Sequence, residues 1–169
     1  MAFSVYTIAG AQPIANTETT QKHPLGTIVR GVDPTYGEGE FIYLLGVAST
    51  AVGFLVTYNA TTYQTTLSPT SGPSAPYNGN SVAVAMSANV ASQYGWYQIS
   101  GLAVIKKTAV ACLPQVPIFW SATAGRMKTL LSLGRQILGA KTANLTTVVS
   151  TTSTVVCQIS RPFLQGQII

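Results

Sequence analysis

The chain reads as all-β: a single domain, barrel or sandwich, with an internal duplication and an extended N-terminal arm. Three observations carry that reading. Apolar and polar residues alternate in "SVAVAM" (81–86) and "TVVCQI" (154–159), the period of a half-buried strand. Glycines and prolines, 15 and 9 of 169 residues, gather in short clusters between such runs, as they do in sandwiches and barrels. Short blocks also recur in one order about sixty residues apart.

The first 39 residues form an arm and lead-in outside the repeat. "ANTETTQKHP" (15–24) is polar and has no period, so Met1–Pro24 is expected to be extended. Its start, "FSVYTIAG", suits strand addition to a neighbour. Phe3, Val5, Tyr6, Ile8, Pro13 and Ile14 are the candidate contact residues of this arm. "DPTYGEGE" (33–40) is a turn signal, and Glu38 and Glu40 are expected to flank Gly39 in that solvated turn.

Residues 40–169 form the β domain, with two similar units at about 40–100 and 101–160. The run "FIYLLGVASTAVGFLVTYN" is the most apolar, but Gly46, Ser49, Thr50 and Gly53 interrupt it. A spanning helix needs about 18 or more apolar residues, so packed strands are expected and no membrane partner. "SPTSGPSAPYNGN" (68–80), "LPQVP" (113–117) and "ATAG" (122–125) are further turns. "GRMKTLLSLGRQIL" places Met127, Leu130 and Leu131 at helical spacing. The repeat and Gly134 argue instead for a strand followed by a loop. The tail "RPFLQGQII" finishes the last strand or reaches a partner.

The repeat rests on four blocks. Gln98–Ser100 matches Gln158–Ser160. "AMSANV" from Ala85 matches "AKTANL" from Ala140. "YNAT" matches "WSAT", with Tyr58 against Trp120, and "GVA" from Gly46 matches "GLA" from Gly101.

Chemistry-bearing residues are scarce. The chain has one histidine, His23, and four acids, Glu18, Asp33, Glu38 and Glu40, all in its first quarter. From Phe41 onward there is no Asp, Glu or His. Acid–base catalysis, triad nucleophiles and carboxylate metal sites draw on those types. No catalytic residue, metal or cofactor is therefore expected, nor any small-molecule substrate. Cys112 and Cys157 stand in apolar runs and read as small buried thiols, with a disulfide between them left open by their spacing. The nine basic residues are scattered, net charge is +5, and no basic cluster suggests nucleic acid. Tyr94, Trp96 and Tyr97 in "QYGWYQ" lack basic neighbours and read as core or subunit-contact aromatics, Trp96 and Tyr97 on opposite faces. Only 8% of residues are charged, which suits a surface covered by other subunits. The N-terminus has no positive n-region and no long apolar stretch, so synthesis in a cytoplasm is expected.

The runs "HPLGTIVRGVDPTYGEGEFIYLLGVASTAVGFLVTYN", "VAVAMSANVASQYGWYQISGLAV" and "FWSATAGRMK" resemble the capsid decoration, or cement, proteins of tailed bacteriophages. The resemblance spans about residues 23–161. It implies a β-rich homotrimer on the outer surface of the virion, bound to the major capsid protein and stabilising the shell without catalysis. A head-fibre, tail or host-recognition component is the alternative expectation.

Overall fold

The computed structural model describes residues 4–5, 12–67 and 79–166. Among them there is no helix. The strands are β1 (Ser4–Val5), β2 (Thr17–Glu18), β3 (Ile28–Asp33), β4 (Gly37–Leu45), β5 (Leu55–Tyr58), β6 (Thr65–Thr66), β7 (Ser81–Ala85), β8 (Tyr94–Lys106), β9 (Pro117–Trp120), β10 (Met127–Lys128), β11 (Gln136–Thr142) and β12 (Thr154–Leu164). The protein is all-β, as the alternation and turn clusters predict.

Every strand pairing is antiparallel, in one sheet whose main path is β1-β3-β4-β8-β7-β12-β11-β9-β10. The sheet is not closed into a barrel. It branches instead: β7, β8 and β12 each pair with the other two. β8 makes this geometry possible through its length of 13 residues. Its first half pairs with β4 on one edge, and its second half pairs with β12.

Local chemistry explains the ends. β3 alternates exposed and buried along its whole length, then stops at Asp33. The Asp33 carboxylate accepts backbone hydrogen bonds from Thr35 (2.8 Å) and Tyr36 (3.0 Å). Such an Asx turn reverses the chain into β4. "GEGE" thus belongs to a strand rather than to the expected turn, and only 34–36 lie between the strands. "GRMKTLLSLGRQIL" becomes β10, a loop and the start of β11, with Gly134 at φ +70° in the loop. A left-handed residue of this kind ends any helical continuation.

Three apolar clusters form the interior. One gathers Ile14, Val29, Phe41, Tyr43, Met86 and Trp96. A second, with Ile42, Leu44, Val56, Ala83, Ala85, Tyr97 and Ile99, lies on the opposite side of the same strands. The third is the largest and lies mainly in the second half of the chain, around Ile105, Ile118, Trp120, Ile137 and Cys157. β7 and the first half of β8 are buried on both faces, so their side chains feed more than one cluster.

The pairing pattern recurs along the chain. Tyr58 pairs with Thr65 and Thr57 with Thr66, joining β5 to β6. Trp120 pairs with Met127 and Phe119 with Lys128, joining β9 to β10, each residue sixty-two positions after its counterpart. Isolated parallel bridges Leu45–Gln64 and Lys107–Met127 tie each hairpin, at or just before its second strand, to the chain that precedes it, at offsets of 62 and 63. One sequence match does not survive. Gly46 lies just beyond β4 against Asn89 and Gln93, whereas Gly101 lies inside β8 against Glu38 and Gly39. The two glycines occupy different environments; a three-residue match carries too little information to set a register.

Candidate docking surface

The arm is divided. Phe3, Tyr6 and Ile8 lie outside the described residues. Val5 belongs to β1, whose backbone pairs with Gly31 of the same chain. Pro13 is exposed, and its carbonyl accepts from Asn16 N at 2.9 Å. Ile14 is 3% exposed and packs into the first cluster with Phe41 and Trp96. It is a core residue, not an outward contact. Strand addition to a neighbour is the expectation for "FSVYTIAG"; its described part, β1, pairs with β3 of the same chain, and β2, in the stretch expected to be aperiodic, pairs with β8 of the same chain. Aperiodic polar sequence around one isoleucine gave no sign of this, since periodicity registers only regular elements.

The lone histidine is held in the same place. His23 Nε2 lies 2.7 Å from Gln12 Oε1. Its ring packs against Tyr43 at 5.3 Å and Trp96 at 5.4 Å. Tyr94 is half-buried and stacks on Tyr43 at 6.1 Å. Trp96 and Tyr97 are fully buried and enter opposite clusters. Asn89 Nδ2 donates to the Tyr97 hydroxyl, and burial pushes that hydroxyl's pKa up. Trp96 and Tyr97 are core aromatics and present no contact surface.

A polar row crosses four strands. Arg30, Glu40, Ser100 and Ser160 are successive register partners on β3, β4, β8 and β12. With Glu38, Gly39 and Arg161 they line an open cleft of about 340 Å³. Glu40 Oε1 accepts from Arg30 and Oε2 from Arg161, both ion pairs at 3.3 Å. Both oxygens of the Glu40 carboxylate are thus engaged, and the row contains no histidine. Among the described residues no group of three or more His, Cys, Asp or Glu is placed to hold a metal ion. Cys112 and Cys157 are free and buried in the third cluster. Burial raises both thiol pKa values, and for Cys157 the neighbouring Cys112 adds to it.

The feature that composition alone did not locate is a set of outward apolar side chains. Leu113, Leu130, Leu131, Leu133, Leu145 and Val149 are all exposed, Leu131 at 75% and Leu145 at 94%. They sit on three loops, 107–116, 129–135 and 143–153, that hold one another in place. Cys112 and Val148 exchange backbone hydrogen bonds at 2.8 and 3.0 Å. Asn144 Nδ2 donates to Cys112 O at 3.0 Å, and Thr129 Oγ1 to Ala111 O at 3.0 Å. Lys107, 1% exposed, sends Nζ to the carbonyls of Val110 (2.8 Å), Thr108 (3.3 Å) and Ser150 (3.3 Å). A fixed apolar surface can bind another surface with little ordering cost.

No protein-family model matches the chain, and no curated protein matches it.

Proposed function

We propose that the protein is an adhesive component of a virion. It docks on the outside of a phage shell, bridges major capsid subunits and stabilises the lattice as a cement protein. The observation that carries this reading is the set of exposed leucines on loops locked by backbone and side-chain hydrogen bonds. Large exposed aliphatic side chains on ordered loops are a liability in a free monomer and an asset at an interface. The likeness of "GVDPTYGEGEFIYL" and "QYGWYQI" to cement proteins points the same way. The function is mechanical, and the fold supplies a platform rather than an active site. Assembly as a homotrimer would link three such platforms, so that weak single contacts add by avidity.

Quantitative mass spectrometry of purified particles tests it. A copy number near that of the shell protein is the expected result. A few copies per particle would instead assign the chain to a head fibre, tail or host-recognition device. Absence from particles would refute a virion role.

A further inference from the structure

We propose that the loop 129–135, together with Leu113 and Leu145, is the face that meets the shell, and that the shell surface it meets is apolar at its centre and acidic at its rim. This rests on the docking reading above and adds the site and the chemistry of the partner.

The loop reads "TLLSLGR", with Lys128 just before it. Leu130, Leu131 and Leu133 all point outward. The loop is nevertheless held: Arg135 N donates to Ser132 O at 3.1 Å, and Thr129 is tied to Ala111. Its leucines are displayed rather than collapsed, and docking them removes their surface from water at little entropic cost.

Charge selects the partner. Residues 101–160 contain six cations, Lys106, Lys107, Arg126, Lys128, Arg135 and Lys141, and no acid. Lys107 is internal, and Arg126 lies over Phe54 and donates to Lys107 O at 3.1 Å. Lys128 and Arg135 bracket the apolar loop, and Lys141 is exposed on β11. No acid in this unit is available to pair with them, so a partner that brings acids would gain from all three.

A second copy is a poor source. Each copy carries +5, and of its four acids Glu40 is held by two arginines, while Asp33 is buried and caps its own turn. A lipid surface fits less well. The three loops contain no aromatic residue, and both tryptophans are buried, whereas interfacial anchoring draws on Trp and Tyr. The same lack removes the stacking platforms that single-stranded nucleic acid uses. An acidic, partly apolar protein surface remains.

The test is co-sedimentation of the full chain with purified, expanded shells stripped of it. Wild type is compared with Leu131→Ser/Leu133→Ser and with Lys128→Glu/Arg135→Glu. Leu145→Ser serves as an independent third variant, and thermal melts check that each folds. Each double variant is expected to bind at least about tenfold more weakly, and wild-type binding to weaken between about 0.05 and 0.5 M NaCl. If wild type itself does not bind shells, the docking reading fails and this inference with it. If wild type binds and the leucine variants bind equally, the docking reading stands and this face is wrong. Loss in the leucine variants with no effect of charge or salt overturns the acidic rim. Leucine-dependent self-association, or binding to phosphatidylserine vesicles in place of shells, overturns the choice of partner.

Discussion

Ser100 and Ser160 stand directly opposite each other on β8 and β12, sixty residues apart in sequence. Glu40, sixty residues earlier again, is the register partner of Ser100 on its other edge. The residue after each serine leaves the extended region: Gly101 at φ +101° and Arg161 at φ +42°. A Cβ on Gly101 would collide with the Glu38 carbonyl, which belongs to backbone and cannot swing away. Gly101→Ala is therefore expected to destabilise the protein by about 3 kcal/mol, from the left-handed strain together with the clash. Urea denaturation measures it. An unchanged midpoint would show that β4 can move away from β8.

How much of this was legible beforehand depends on what each residue contributes locally. The match of Tyr58 to Trp120 came from sequence, and both now sit in equivalent hairpins, because hairpin spacing is a local property. Trp96 and Tyr97 could be put on opposite faces because strand alternation is local too. The Glu40–Arg161 ion pair joins residues 121 positions apart through strand register, which no spacing rule supplies. Ile14 was misplaced for a related reason: an irregular segment can plug a core without periodicity. The exposure of Leu131 and Leu145 has no local sequence signal, since exposure is decided by what the fold leaves uncovered.

Lys107 gives a second test. Its Nζ uses its three donors on three carbonyls, and none of those contacts is an acid. Lys107→Met keeps most of the volume but leaves buried carbonyls of Val110, Thr108 and Ser150 short of a donor. The expected loss is about 3 kcal/mol, near the range for breaking a buried charged interaction. Loops 107–116 and 143–153 should loosen together, with faster amide exchange at Cys112 and Val148. Slow exchange at both amides in the variant would mean that the backbone bridge alone fixes the loops.

The placement of Ile14 predicts that a cut that removes residue 14 is not neutral to the fold. Ile14→Ala should cost about 2–4 kcal/mol, the range for truncating a buried aliphatic side chain. Removing residues 1–24 would also delete β2 and the Gln12–His23 contact, so loss of stability is expected together with any loss of binding. Differential scanning calorimetry of Ile14→Ala decides this. A melting temperature equal to wild type would mean that the first cluster closes without it.

The buried thiols and the Tyr97 phenol predict a loss of stability at alkaline pH. Cys112 and Cys157 are raised by burial above the ordinary thiol value of 9.0, and Tyr97 by burial above 10.0. Each group is neutral when protonated, so the folded state holds its proton more tightly than the unfolded chain does. Below about pH 9 both states are protonated and the contribution of these groups is fully present. As pH rises past the unfolded values, the unfolded chain ionises first and stability falls, by up to about 1.4 kcal/mol per pH unit for each group. Denaturation free energies should thus be level with respect to these groups between about pH 7 and 8.5 and decline above that. Cys112→Ala/Cys157→Ala should reduce the slope between about pH 9 and 10 while leaving the contribution of Tyr97 at higher pH. The same burial predicts slow labelling of both thiols by a disulfide reagent at about pH 8 until the protein is unfolded. An equal alkaline slope in the double variant, or rapid labelling of the native protein, would place the thiols within reach of water and remove them from the pH dependence.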